Sequence, residues 1–256
     1  MGRMFHSFRN VACLALFTGL TPFLGGCFAG GGDFTSGPAP LERTVDPVLV
    51  QAHQRMGKVY CTRGFLGIFS TGMMDLSDRI NSELGVTSVS IADQEYGRLQ
   101  DWLIEEHKKG TLGKEPLVLL GHSYGADDMI RVAERIKKEN ITVDLLVLID
   151  PVTPPAVPNN VKRVYCVYKS RPLTDGIPAW RGVAATVADP ATIIENVDLR
   201  TAQVDFPTEG ISHPQIDKNA GVQDMAIAQI KTVCPQRPGW QPAPTAGGTG
   251  VAKPKP

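Results

Sequence analysis

The chain has 256 residues, 42% of them hydrophobic, with 26 Lys+Arg set against 26 Asp+Glu. That length supports one domain with a substantial core and is short for two. A balanced charge argues against a dedicated nucleic-acid binder, which needs a basic surplus to neutralise phosphates, and a charged fraction of only 20% argues against global disorder.

The first 26 residues read as an address. Arg3 and Arg9 precede Val11 to Leu24, an uncharged, largely apolar run of 14 residues, too short to cross a ~30 Å hydrocarbon layer as a helix. A basic start followed by an apolar segment of about 7–15 residues is the pattern of a secretory signal peptide. Leu24-Gly25-Gly26-Cys27 resembles a bacterial lipobox, in which the cysteine is lipidated and begins the mature protein. The expectation is therefore a signal peptide over 1–26 and a lipid anchor on Cys27. The bilayer is then a partner, and the location is the cell envelope, facing periplasm or exterior. Phe rather than Asp at position 28 favours, by the same resemblance, the outer membrane of a diderm bacterium. Several acyl chains are needed for firm anchoring, because one alone binds only marginally.

Residues 27–56 are Gly- and Pro-rich near their start and read as a flexible tether. Residues 235–256 hold six Pro and four Gly in 22 positions and read as a solvated tail. The folded domain is expected over 57–234. Secretion sets an oxidising context for its cysteines, Cys61, Cys166 and Cys234. Three thiols permit one disulfide, and Cys166–Cys234 is the expected pair, with Cys61 buried.

Within the domain, strands and helices alternate. A short strand at Lys58–Cys61 runs into a Gly-rich stretch. Met73, Leu76, Ile80 and Leu84 recur at helical spacing, with Gly85 placed to end that helix. Val86–Ile91 is β-branched and strand-like. Tyr96, Leu99 and Leu103 mark a second helix, closed by Gly110. Leu117–Leu120 is a continuous apolar run, as expected of a parallel strand buried on both faces. Ala126, Met129, Ile130 and Ala133 form the face of a third helix. Leu145–Ile149 and Val161–Tyr168 are further strands, and Val222 to Val233 is a closing helix. This alternation predicts an α/β fold: a mainly parallel sheet of five to six strands with helices on both faces. Ligands of such sheets bind at the carboxyl ends of the strands.

At one such end stands Gly121-His122-Ser123-Tyr124-Gly125, between a buried strand and an amphipathic helix. This is the G-x-S-x-G nucleophile elbow. Gly121 and Gly125 permit close approach of neighbouring backbone, and Ser123 Oγ is expected to stand above the sheet at a helix start. A serine is a weak nucleophile and needs an adjacent base. On these residues the chain resembles the α/β-hydrolase family, and more narrowly its small lipase- and thioesterase-like members. The resemblance spans roughly Gly57 to Val233 and implies the chain order Ser, acid, His.

Of five histidines, His6 lies in the signal peptide, His53 before the first strand and His107 on the second helix. His122 is the variable elbow position, expected to pack away from the reacting atom. His213, in Gly210-Ile211-Ser212-His213-Pro214, lies where the family keeps its base. The acid is expected at Asp150, which ends the Leu145–Ile149 strand; Asp175 and Asp198 are the alternatives. For the oxyanion hole, Tyr124 supplies the amide after the nucleophile. Arg63-Gly64-Phe65-Leu66-Gly67 resembles the family's H-G-x-x-G loop with Arg in place of His, and supplies a second amide from Phe65 or Leu66, with Phe65 the first choice. Neither a cofactor motif nor metal-ligand spacing is present.

Little sequence precedes the first strand, so the sheet resembles that of minimal hydrolases. Arg171 to Gln203 is long enough either to cover the site partly, with Ile177–Ala185 and Trp180 lining it, or to stabilise the sheet edge. The expected function is a membrane-anchored serine hydrolase acting on a small acyl ester or thioester. The competing reading is an inactive binding or envelope-assembly lipoprotein that kept the scaffold.

Overall fold

A computed structural model describes residues 54–64, 70–172, 176 and 181–241. The chain divides into two units, Met1–Gly37 and Pro38–Pro256, and every described residue belongs to the second. The expectations about the signal peptide, Cys27, the Phe65–Gly67 loop, Asp175, Ile177–Trp180 and residues 242–256 lie outside the described residues.

Six strands form one all-parallel sheet: β1 (Lys58–Thr62), β2 (Thr87–Ile91), β3 (Leu117–His122), β4 (Leu145–Ile149), β5 (Arg163–Tyr168) and β6 (Ile193–Asp198). Their spatial order is β2-β1-β3-β4-β5-β6. The four longer helices are α1 (Gly72–Arg79, continued by a π turn over Ile80–Leu84), α2 (Tyr96–Lys108), α3 (Tyr124–Lys137) and α4 (Ala220–Val233). Gly85 ends the first of these at φ 67°, the left-handed region that favours glycine.

Alternation along the central strands explains the layers. In β3, Leu117 and Leu119 point into a core shared with Leu99, Leu103, Met129 and Ile130 of α2 and α3. Val118 and Leu120 point to the other face, against Met73, Leu76 and Ile80 of the first helix and Val222, Ala226 and Ile230 of α4. Every residue of β3 and β4 is buried, which is why Leu117–Leu120 and β4 read as unbroken apolar runs. Truncating a side chain such as Leu119 or Leu120 to Ala should cost ~2–5 kcal/mol.

β6 falls inside the long excursion from Arg171 to Gln203. It pairs with β5 and forms the sheet edge, so that part of the excursion extends the sheet. The ordered body also reaches slightly past the expected limits of 57 and 234. Arg55 bridges Gln236 in antiparallel fashion, Met56 N–H donates to the Pro235 carbonyl, and Arg237 N–H donates to that of Gln54.

The expected Cys166–Cys234 disulfide does not form. Cys61, Cys166 and Cys234 are buried free thiols. Cys166 packs into the core on the α2/α3 face, whereas Cys234 packs on the α1/α4 face. The sheet stands between them, and a disulfide needs Cα atoms within about 7 Å. Burial pushes all three thiols up to about 12, so they stay protonated and unreactive.

The strand order sets the location of the site. The chain leaves β1 for α1 on one face and leaves β3 for α3 on the other, although β1 and β3 are neighbours. Such a reversal opens a crevice at the carboxyl ends of the two strands. Ser123 follows the last residue of β3 directly.

Candidate active site

Ser123 joins β3 to α3 at φ 60° and ψ −130°, a conformation that costs a non-glycine residue ~1–3 kcal/mol. Its N–H donates to the Ile149 carbonyl, while its own carbonyl accepts from the Ala126 and Asp127 amides of the first turn of α3. The flanking glycines are sterically required. A Cβ on Gly121 would overlap the backbone of Gly125, and one on Gly125 would overlap the carbonyls of Thr62 and Arg63. A Cβ on Gly64 would press on Ser123 itself, so the stretch after β1 passes directly beside the elbow.

The hydroxyl reaches a base. Ser123 Oγ lies 2.8 Å from His213 Nε2, and His213 Nδ1 lies 2.7 Å from Asp150 Oδ2. A carboxylate can only accept, so Nδ1–H donates to Asp150 and Nε2 is left to accept the Ser123 O–H. His213 opens a short 3-10 helix, His213–Lys218, with Pro214 at its first turn. Asp150 directly follows β4 at φ 48° and is fully buried. Residues that are 90 and 63 positions apart in the chain thus converge at one end of the sheet.

The Asp150 carboxylate is well supplied with donors. Lys169 N–H donates to Oδ1 at 2.9 Å, and Arg171 Nη1 donates to Oδ2 at 3.1 Å, forming an ion pair. The segment 181–183 closes over it: Arg181 Nε donates to the Val152 carbonyl and Val183 N–H to that of Pro151. Asp198, an alternative for the acid, is committed elsewhere. It accepts from Ser170 N–H and Oγ–H and from Arg200 N–H, and these donors hold its carboxyl below the usual range although burial opposes them.

Two residues near the site escaped sequence reasoning. Asp127, in the first turn of α3, accepts from Val152 N–H, Thr153 N–H and Thr153 Oγ–H. It ties α3 to the loop that carries Asp150, and burial raises its pKa. Its position four residues after Ser123 was the available signal. The other is His122, expected to pack away from the reacting atoms. Its ring packs against His213, with ring centroids 5.2 Å apart. Tyr124 opens α3, where the helix dipole favours negative charge. Among the described residues no group of His, Cys, Asp and Glu could hold a metal ion.

A six-stranded parallel sheet with helices on both faces and a serine elbow after its central β3 decides the architecture. The chain has an α/β-hydrolase fold. No protein-family profile and no curated protein matches its sequence. Among solved structures it is similar to the NocB thioesterase domain of the nocardicin cluster, at 15% identity and a TM-score of 0.43 over 68% of this chain and 92% of that one. It is also similar to a hydrolase of the alpha/beta superfamily from Xanthomonas campestris pv. campestris, at 17% identity and a TM-score of 0.38, covering 69% of this chain and 98% of that one. A third is an esterase of the archaeon Pyrobaculum calidifontis, at 18% identity and a TM-score of 0.31, covering 39% of this chain and 37% of that one.

Proposed function

We propose that this chain is a serine hydrolase that transfers an acyl group from an ester or thioester to water. The observation that carries the reading is the unbroken chain of hydrogen bonds from Ser123 Oγ through His213 to Asp150. Each link has the distance and the donor–acceptor sense that the chemistry requires.

In the first half-reaction Ser123 Oγ attacks the substrate carbonyl carbon as its proton passes to His213 Nε2. The carbonyl oxygen gains the negative charge and is received by the amides of Tyr124 and Phe65. Asp150 steadies the imidazolium through Nδ1–H. The oxyanion then collapses, the bond to the alcohol or thiol breaks, and that group leaves with the proton from Nε2. A water molecule repeats the sequence on the acyl-enzyme, giving up its proton to His213 and releasing the carboxylic acid and Ser123. The oxyanion amides typically supply ~3–4 kcal/mol each when removed singly.

We propose further that the enzyme sits in the bacterial cell envelope, held by a lipidated Cys27, a reading supported by the lipobox-like Leu24-Gly25-Gly26-Cys27. No helix among the described residues is long and apolar enough to cross a membrane. Metabolic labelling with a palmitate analogue, compared between the parent and Cys27→Ala, tests the anchor.

The experiment for the activity is covalent labelling with a serine-reactive fluorophosphonate, together with hydrolysis of p-nitrophenyl esters of short and long acyl chains. The parent should label and turn over, and Ser123→Ala should do neither. A parent that resists labelling would overturn the hydrolase and leave the binding protein.

A further inference from the structure

His122 occupies the elbow position whose side chain has no assigned part in acyl transfer, yet it is 1% exposed and both ring nitrogens are engaged. Nε2 lies 3.1 Å from the backbone carbonyl of His213, and Nδ1 lies 2.7 Å from Ser70 Oγ. A carbonyl oxygen only accepts, which fixes the tautomer: Nε2–H donates to His213, and Nδ1 accepts the Ser70 hydroxyl proton. Ser70 is also buried and stands two residues before α1, at the far end of the stretch that begins with Gly64 beside Ser123.

We propose that His122 is a positioning residue, a neutral imidazole that cross-links the loop carrying His213 to the loop between β1 and α1 and so fixes Nε2 of His213 against Ser123 Oγ. The proposal rests on the hydrolase reading. Its physical basis is the different fate of the two imidazoles. His213 must gain and lose a proton in each half-reaction, and its ring is held at one end by Asp150. The other end, its backbone, is held by His122.

A cross-link beside an imidazolium must not itself become cationic, because like charges at that separation repel. Burial, and secondarily the neighbouring His213, pushes the His122 ring down to about 3, so it stays neutral while its neighbour cycles. The groups facing it are consistent with that role: Ser70 and the His213 carbonyl bind it directly, Asp150 acts across His213 to favour its charged form, and Lys218 opposes that. An apolar side chain would take the ring N–H from the His213 carbonyl and the ring acceptor from the Ser70 hydroxyl, both buried, and the base loop would lose its fixed position.

The test compares His122→Leu, His122→Gln and Ser70→Ala with the parent, measuring kcat and KM on a p-nitrophenyl ester, fluorophosphonate labelling rate and thermal unfolding. His122→Leu should lower kcat and the labelling rate at least tenfold with KM within threefold. His122→Gln, whose amide can donate to the His213 carbonyl, should recover most of that loss. Ser70→Ala, which keeps the ring and removes one partner, should give a smaller fall in kcat at unchanged KM. A kcat within twofold of the parent in His122→Leu, or a loss matched by the unfolded fraction in all three variants, would overturn the proposal.

Imidazole ¹⁵N spectra of the Ser123→Ala protein provide an arm independent of turnover. His122 should show a protonated Nε2, a bare Nδ1 and no titration above pH 5. The opposite tautomer, or a titration near pH 6, would overturn the cross-link. If the parent neither labels nor hydrolyses, the hydrolase reading fails separately, and the spectra still decide the cross-link.

Discussion

The α-carbon of Gly182 lies directly against the carboxylate of Asp150, so that a Cβ at position 182 would fall on Oδ1. The segment 181–183 thereby seals Asp150 from water, and glycine is the only residue that allows the approach. Gly182→Ala should displace either the carboxylate or the segment. Overpacking of this kind costs ~1–3 kcal/mol. We expect a lower Tm together with a fall of at least tenfold in kcat; parental kcat in a folded Gly182→Ala protein would contradict the tight seal.

Asp150→Asn keeps the shape of the acid and removes its charge. An amide at this position can present its NH₂ to His213 and favour the wrong tautomer, which costs ~10⁴-fold where it has been measured in triads. Asp198→Asn should stay within threefold of the parent, because Asp198 bonds Ser170 and Arg200 rather than His213. Steady-state kinetics on the two variants check the assignment, and the reverse ranking would move the acid.

Asp217 is fully buried, and its burial outweighs the Lys218 charge and the backbone amides of Asp217 and Gly72, which favour the carboxylate. Burial raises its pKa from 3.8 to about 6. The native state therefore holds this proton more tightly than the unfolded chain does, and stability falls as pH rises from about 4 to about 6. Above that window the cost persists, at roughly 1–3 kcal/mol. Asp217→Asn carries no charge at any pH, so its Tm relative to the parent should improve on going from pH 4 to pH 7. A difference in Tm that stays flat across that range would refute the buried-charge account.

The three thiols of the body should be silent in the native protein. A reductant should leave Tm within about a degree, and alkylation of Cys61, Cys166 and Cys234 should require denaturant. Rapid alkylation of Cys166 in the native state would show that the sheet opens more readily than its packing implies.

Much of this molecule was legible in its sequence because the informative features are local. β3 and β4 are uninterrupted apolar runs since both faces are covered, and the elbow glycines sit where backbone must touch backbone. Asp150 could be placed at the end of a strand. β6 was harder to see: as an edge strand of sequence Ile-Ile-Glu-Asn-Val-Asp it buries little, and its burial follows neither an unbroken run nor a clean alternation. The contacts that refine the site are long-range and leave no periodic trace. Nothing local to His122 announces the carbonyl of His213, 91 residues away, and nothing around Gly182 announces Asp150. The disulfide expectation failed for a related reason, since the parity of a cysteine count says nothing about which side of a sheet each thiol occupies.

Gln54–Met56 and Pro235–Arg237 pair with each other where β1 begins, while Ser123 lies beyond the carboxyl end of β3, about 20 Å further along a strand of this length. Both ends of the body thus emerge at the end of the sheet opposite Ser123. A resin, an affinity handle or a vesicle surface coupled through either of them would leave the reactive crevice turned outward, and immobilised preparations should keep access to substrates too bulky to slip beneath a tethered protein.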